Sequence, residues 1–325
     1  MFLSRILQMF PIKSNSGKKL ASMVAAAAGV CAFLSASLCL AGSDNGGIVS
    51  PILELKGVKV TTSREGEFTH FYVENQEYCE VTMTFEMGLK NLKGDQPFPC
   101  TVAFPPRKTT EAFTLSPVAA GTEWEYSYTN FYKLGSNVAQ HDDNYLYQLP
   151  YAAGMTYRVT QAANGAFSHK GSNKYAIDWK MAEGTPVQAA RGGIVVKTKD
   201  DSNKGGASMD YDKYNNYVLI RHRDGTLGHY CHLRRNGVLV HPGQIVRVGD
   251  VIAYSGNTGF SSGPHLHFCV FRTLNGKERE SIPIRFQTTD GGLALTSGQK
   301  YKAMGSPAIP VAQRDGEVAH QGAAN

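Results

Sequence analysis

Two histidines stand two residues apart in the stretch Gly263-Pro264-His265-Leu266-His267-Phe268-Cys269-Val270. Residues two apart on a β-strand point to the same face of the sheet, with Cα atoms about 6.5–7 Å apart. On a strand, His265 and His267 therefore project into one space, while Leu266 and Phe268 face the core. That geometry suits either two metal ligands or one ligand with a catalytic neighbour, and the pattern alone leaves both open.

Further candidate ligands lie upstream of this stretch. His169 stands in a loop rich in Ser, Gly and Asn, and Asp178 lies on the strand-like segment that follows it. On another strand, alternation puts His232 on the face of Tyr230 and points Cys231 the other way. Histidine and aspartate are ligands suited to Zn²⁺, whereas the cysteines lack a paired zinc-knuckle spacing.

The remaining cysteines and histidines are interpreted as structural. Cys231 and Cys269 are expected to lie on opposite faces as buried thiols. Cys79 and Cys100 flank a short strand-like segment and allow a disulfide if the compartment is oxidising. The other histidines are more typical of surface or packing side chains; they are His70, His141, His222, His229 and His241.

The composition is that of a globular protein with an ordinary core. The chain has 325 residues, of which 42% are hydrophobic and 18% charged, and this length suits two domains. Its net charge of +6 favours an anionic surface such as a cell wall or lipid headgroups. The sequence has no Arg/Lys stripe with interleaved aromatic residues, so nucleic-acid binding is set aside.

Period-two alternation with frequent Gly, Pro and Asn breakers predicts an all-β protein. Residues 42–56 are interpreted as a leader or linker. Residues 57–155 are predicted to form an immunoglobulin-like β-sandwich with an accessory role. Residues 156–288 are predicted to form a second β-rich domain, which carries the candidate ligands. Residues 289–325 lack periodicity and are predicted to be a disordered tail.

The N-terminus has the features of an export signal. Lys18 and Lys19 precede an apolar stretch over residues 20–40 that ends in small residues around Ala41. Residues 1–41 are therefore predicted to be a signal peptide cut after Ala41, which sends the protein to the periplasm, the cell envelope or the exterior. The alternative is an uncleaved anchor helix, since about 20 apolar residues span a bilayer.

A series of short segments in residues 165–272 carries a resemblance to a known family. The segments are Ser168-His169, Tyr175-Ala176-Ile177-Asp178, Gly184-Thr185-Pro186-Val187, Ala189-Ala190, Gly192-Gly193, Asn216-Tyr217-Val218, Tyr230-Cys231-His232-Leu233, Gly249-Asp250, Ser255-Gly256-Asn257-Thr258-Gly259 and Gly263-Pro264-His265-Leu266-His267-Phe268. In this order they resemble the lysostaphin/LytM-type zinc endopeptidases, which are peptidoglycan hydrolases with a β-rich domain of the duplicated hybrid motif. Two departures exist: the interval from His169 to Asp178 is longer than in the best-known wall-lytic members, and Cys231 stands where a small residue is usual.

The resemblance implies site residues and a cofactor. It implies one Zn²⁺ per chain, held by His169, Asp178 and His267, with His232 and His265 as the catalytic pair. Two histidines and one carboxylate leave an open fourth position for water, as in catalytic zinc sites. Of the pair, His265 is favoured as the general base.

The resemblance further implies a zinc-dependent endopeptidase that hydrolyses peptide bonds in the stem peptides or cross-bridges of bacterial peptidoglycan through a metal-activated water. A first alternative is a catalytically silent module that binds wall peptides or activates an amidase, against which the complete ligand and catalytic sets argue. A second alternative is a protease of a secreted protein. A membrane partner is expected only if the N-terminal segment is uncleaved, and the oligomeric state, the bond cut and the task of the N-terminal domain are left open.

Overall fold

The computed structural model describes residues 36–40 and 57–305, and the regular elements in these ranges are β-strands and two short 3-10 helices. The predicted signal peptide and leader fall outside the described residues except at Ala36–Leu40, which form a strand. Cleavage of residues 1–41 therefore stays a prediction. In the part of the chain that is described, no helix is long and apolar enough to cross a membrane.

The described N-terminal region consists of two antiparallel sheets. Its strands are β1 Ala36–Leu40, β2 Val58–Glu65, β3 Phe68–Asn75, β4 Val81–Lys90, β5 Leu92–Gly94, β6 Cys100–Phe104, β7 Lys108–Pro117 and β8 Glu125–Leu134. One sheet has the order β1-β8-β4-β6 and the other β2-β3-β7-β5. Both sheets contribute to one core, in which the rings of Phe71 and Phe113 lie 4.5 Å apart and Phe85 packs edge-on against Phe113. The predicted N-terminal β region is thus confirmed.

The second region contains the remaining strands. They are β9 Leu146–Tyr147, β10 Thr156–Gln161, β11 Ile177–Lys180, β12 Pro186–Gln188, β13 Gly193–Lys199, β14 Gly205–Gly206, β15 Tyr217–Arg221, β16 Leu227–Cys231, β17 Leu233–Val238, β18 Ile245–Val246, β19 Val251–Ser255, β20 Gly259–Phe260, β21 His265–Thr273, β22 Arg279–Ser281, β23 Arg285–Thr288, β24 Gly291–Leu293 and β25 Lys300–Lys302, with 3-10 helices at Gly171–Asn173 and Met209–Tyr214. The largest sheet has the order β18-β13-β15-β16-β21-β11-β10-β25, and β22 pairs with β21. The strand that carries His265 and His267 therefore lies in the middle of this sheet.

Two predicted boundaries are wrong. β9 pairs in parallel with β23, and Tyr147 and Tyr151 belong to the core of the second region, so that region begins before residue 156. Strands β24 and β25 lie inside the predicted tail 289–325, where β25 pairs with β10. Buried apolar residues and backbone hydrogen bonds order this segment as far as Ala303, although its composition lacks periodicity.

The main sheet has one apolar face and one polar face around the histidine strand. Leu266 and Phe268 are fully buried in the core, together with Trp179 of β11 and Tyr230 of β16. The alternation predicted for β21 is confirmed, because it leaves His265 and His267 on the opposite face. That face carries the candidate site.

The two regions share an interface. Cys79 of the N-terminal region packs with Leu227 and Phe271 in a separate apolar cluster, and Glu80 forms an ion pair with Arg221. Cys79 and Cys100 are both free and belong to different clusters, so the structure does not join them in a disulfide.

Candidate metal centre

Strand pairing brings the predicted ligands Asp178 and His267 face to face. On β11 and β21, Asp178 lies directly opposite His267, and Lys180 lies opposite His265. Asp178 Oδ1 lies 2.8 Å from His267 Nδ1, and both residues are less than 8% exposed. The adjacent strand β10 ends at Gln161, which pairs with Asp178 from the other side.

His169 completes the predicted set from a loop. Its Nε2 lies 3.1 Å from Asp178 Oδ2, and one ligand atom from each of His169, Asp178 and His267 lies within 4.8 Å of the others. Burial alone would raise the pKa of Asp178, but the ring nitrogens of His169 and His267 beside its carboxylate and the charges of His267 and His265 outweigh burial and hold this pKa well below its ordinary value. The cluster is therefore a buried carboxylate between two imidazoles.

The hydrogen bonds of His169 fit a metal ligand. Its Nδ1 donates to the carbonyl of Ala162 at 2.8 Å, so its Nε2 carries a lone pair. That buried Nε2 has no hydrogen-bond partner among the described residues, although it faces Asp178 Oδ2. Two facing lone pairs in a buried site are satisfied by a cation between them, and two histidines with one carboxylate are donors that suit Zn²⁺.

The predicted catalytic pair, His232 and His265, lies beside this cluster with ring centroids 4.5 Å apart. His232 Nδ1 donates to the carbonyl of Thr258 at 2.7 Å, and His265 Nδ1 donates to the carbonyl of Gly263 at 2.8 Å. Burial and the neighbouring histidines lower the pKa of His232 to about 3, and burial also lowers the pKa of His265. Both rings are therefore neutral, and each keeps its Nε2 lone pair free to accept a proton.

The orientation of His232 corrects the prediction made from alternation. β16 ends at Cys231, and His232 has a left-handed backbone with φ of 62°. This turn interrupts the period of two, so Tyr230 points into the core while His232 reaches the site. Cys231 lies opposite His267 and is on the same face as Cys269, contrary to the expectation of opposite faces. Both remain buried thiols, and burial raises their pKa values to about 12.

Sequence reasoning missed Gln161. Its side-chain Nε2 donates to Asp178 Oδ2 and to Ser168 Oγ, both at 2.9 Å, and its Oε1 accepts from the backbone N–H groups of Phe167 and Ser168. Gln161 thus ties the loop of His169 to the carboxylate. Its only signal in the sequence was a polar residue at the end of a strand just before that loop.

The histidines interpreted as structural lie outside the cluster. His222 is fully buried and bonds to the carbonyl of Gly192, His229 packs between Tyr217 and Phe271, and His241 is exposed. His70 and His141 pair with Glu111 and Asp143.

The site opens into a groove of about 670 Å³. His232, His265 and Asp178 contribute to its lining, as does the exposed side chain of Lys180. Phe167, from the loop of His169, stacks on Phe260 with ring centroids 5.2 Å apart. The buried cluster is therefore accessible to a ligand from one side.

Comparison with known proteins identifies a family that part of this chain matches. Residues 172–280 match the family described as Peptidase family M23, and this range contains Asp178, His232, His265 and His267. These residues form an M23 peptidase domain. His169 lies just before the matched range, and the structure brings it to Asp178 and His267 of the M23 domain.

The matches to relatives of the M23 domain cover only part of each relative's length. An uncharacterized metalloprotease of Haemophilus influenzae is 34% identical over 133 residues, which are 41% of this chain and 24% of the relative. The peptidoglycan DD-endopeptidase ShyA of Vibrio cholerae is 40% identical over 91 residues, which are 28% of this chain and 18% of the relative. The catalytic domain of lysostaphin from Staphylococcus simulans aligns at 25% identity with a TM-score of 0.27, over 40% of this chain and 88% of that domain. The chain thus spans about a quarter or less of the length of the two relatives matched by sequence.

Proposed function

We propose that this chain is an exported zinc endopeptidase that hydrolyses peptide bonds in bacterial peptidoglycan. The observation that carries the proposal is the buried cluster of His169, Asp178 and His267 beside the neutral pair His232 and His265, at the base of an open groove. Its place in an M23 peptidase domain supports peptide hydrolysis as the reaction.

The ligand set we propose is His169 through Nε2, Asp178 through its carboxylate and His267 through Nδ1. These donors fit one Zn²⁺ per chain, because three histidine and carboxylate ligands are the usual set of a catalytic zinc site. When bound, zinc polarises the scissile carbonyl and makes water a stronger nucleophile near neutral pH.

The two other histidines handle protons in this proposal. Each is held by a carbonyl at Nδ1, so each presents Nε2 toward the groove as acceptor when neutral and as donor when protonated. His265 Nε2 lies 4.0 Å from Asp178 Oδ1, which favours it as the base that takes the proton of the attacking water. Neutral His232 presents a second Nε2 acceptor beside His265, and the proton taken from the water would pass to the nitrogen of the leaving amine as the C–N bond breaks.

Peptidoglycan is the proposed substrate for three reasons. Relatives of the M23 domain include proteins described as peptidoglycan DD-endopeptidases. The N-terminal segment reads as an export signal, and the net charge of +6 favours an anionic wall. An immunoglobulin-like N-terminal region with an accessory role, such as positioning the domain on the wall, belongs to the same proposal.

A digest of purified peptidoglycan tests this function. We expect new free amino groups without new reducing sugar ends, products identified by mass as cleaved peptides, and complete inhibition by a zinc chelator. Glycosidases typically use paired carboxylates, whereas Asp178 is the one carboxylate among the described residues that line the groove. A chain that pellets with the wall but releases no amines would instead be the binding module, and exclusive digestion of protein substrates would indicate a secreted-protein protease.

A further inference from the structure

The two charged side chains that line the groove differ in whether they have a partner within the protein. Of the described residues that line it, Asp178 and Lys180 are the ones with a formal charge at neutral pH besides the histidines. Asp178 is buried, it is hydrogen-bonded to His267 and Gln161, and its Oδ2 lies 3.1 Å from His169 Nε2. Lys180 is exposed, and it forms no ion pair with any residue in the described ranges. Apart from the proposed zinc ion, the charge available to a ligand among these lining residues is therefore one ammonium group.

Lys180 lies close to the proposed catalytic groups. Lys180 and Asp178 lie on the same face of β11, about 6.5–7 Å apart along the strand. In the strand register Lys180 lies directly opposite His265. A peptide whose scissile bond lies over His265 and Asp178 therefore places its adjoining residue next to Lys180.

Lysine is suited to this task by its chemistry. The ammonium is a compact charge on a flexible stem, and it pairs with a carboxylate as a charge-assisted hydrogen bond. An uncharged peptide offers the ammonium only neutral carbonyl acceptors, which compensate less well for its lost hydration than a carboxylate does. Phe167 and Phe260 stack at the groove and provide an apolar surface, which offers no competing charge.

We propose that Lys180 binds a carboxylate that the substrate carries on the residue next to the scissile bond. This inference rests on the proposed peptidase function and specifies its substrate class: cross-linked stem peptides with a free carboxylate at that residue, in preference to uncharged bridges such as oligoglycine. The carboxylate comes either from a C-terminal residue or from a diamino acid within the cross-link.

Matched peptide substrates test this preference with the full-length, zinc-loaded protein. Each pair consists of a peptide with a free carboxylate and the same peptide with a carboxamide in its place. In one pair this group is on a C-terminal residue, and in the other it is on a diamino acid. Oligoglycine serves as the uncharged bridge. We expect wild type to prefer the carboxylate member of at least one pair by roughly tenfold in kcat/KM. This value is intermediate between the small effect of an exposed ion pair and the larger effect of a charge-assisted hydrogen bond that is shielded from water. The pair that shows the preference identifies the source.

Variants of Lys180 assign the preference to this residue. Lys180→Met should bring the carboxylate-to-carboxamide ratio close to one, Lys180→Arg should retain most of it, and Lys180→Glu should invert it. Lys93→Met is the matched control, because Lys93 is exposed on β5 of the N-terminal region and its loss changes the net charge equally. The exposure of both lysines makes misfolding of these variants unexpected.

A binding measurement separates this inference from the proposed function. Calorimetric titration of the carboxylate and carboxamide product peptides into wild type and Lys180→Met requires no turnover. A wild type that cleaves nothing but binds the carboxylate product more tightly, through Lys180, would contradict the peptidase function and support the inference. Equal cleavage of both members of each pair, or a preference that survives in Lys180→Met, would overturn the inference and leave the peptidase function in place.

Discussion

At the scale of single residues, His232 shows how backbone conformation determines which side chains meet. A left-handed backbone costs a non-glycine residue about 1–2 kcal/mol. At His232 this conformation is supported by a hydrogen bond from its backbone N–H to Asn215 Oδ1 at 2.9 Å and by the bond from its ring to Thr258. The turn allows two consecutive residues, Cys231 and His232, to lie on the side of His267.

His267→Ala should remove the metal. Two protein ligands would remain of three, so we expect zinc affinity to fall by roughly a hundredfold or more. Elemental analysis of the purified variant measures the zinc content per chain. His241→Ala is the matched control, since His241 is exposed and lies outside the cluster. Full zinc in His267→Ala would contradict its role as a ligand.

His232→Ala and His265→Ala should separate metal binding from turnover. Both residues lie beside the ligand cluster, so each variant should keep its zinc. Loss of a general acid or base lowers turnover by about 10²–10⁴-fold, which we expect for both variants in the rate of amine release. If either variant loses zinc together with activity, that histidine is a ligand and the division of roles is wrong.

His222 should contribute to the pH dependence of folding. Burial, followed by the nearby charge of Arg191, lowers the pKa of His222 to about 4 from 6.5. Between these values the unfolded chain binds a proton that the folded chain does not, so stability falls as pH decreases through this window and is unaffected above it. The contribution is up to about 3 kcal/mol.

Urea unfolding of wild type and His222→Gln at several pH values measures this contribution. The difference in unfolding free energy between wild type and the variant should be constant above pH 6.5. As the pH falls from 6.5 toward 4, wild type should lose stability relative to the variant. An identical difference at pH 5 and pH 8 would show that His222 titrates normally in the folded protein.

At the scale of elements, the site depends on the pairing of β11 with β21. The sequence predicted both strands and the shared face of His265 and His267, because a period of two is visible within one strand. The register that sets Asp178 opposite His267 depends on long-range pairing and was inferred only through the family resemblance. The face of the main sheet on which Cys231 lies could not be predicted, since the alternation of side chains is interrupted where the backbone turns at His232.

The turn between β21 and β22 links the two regions. The backbone N–H of Gly276 donates to Thr84 Oγ1 at 3.0 Å, and a Cβ atom at Gly276 would lie 2.2 Å from the carbonyl oxygen of Phe131. Nearby, Lys277 pairs with Glu86. The hairpin therefore fits against β4 and β8 only with glycine at this position.

Gly276→Ala should weaken this contact. Because the clash is with backbone, we expect the unfolding free energy to fall by about 1–3 kcal/mol, as for other overpacked sites. Gly305→Ala is the control, since no atom lies within 4 Å of the position of its Cβ. Urea unfolding followed by circular dichroism compares the two variants, and equal stability would contradict the close approach.

At the scale of the whole molecule, the sequence predicted two β-rich regions but misjudged their limits. Residues 146–151 join the core of the second region, and residues 289–305 add strands to its sheets. Short edge strands such as β9 and β25 carry little periodicity of their own, because partners distant in sequence stabilise them. Composition alone therefore placed one segment in the wrong domain and the other in a tail.

The central claim is that one zinc ion, held by His169, Asp178 and His267, makes this molecule a peptidase. Stepwise addition of zinc to the chelator-treated full-length chain, with amine release from peptidoglycan measured at each step, tests it most directly. Activity should start near zero, rise in proportion to bound zinc and level off at one equivalent per chain. Full activity without zinc, or no activity at one bound equivalent, would contradict the claim.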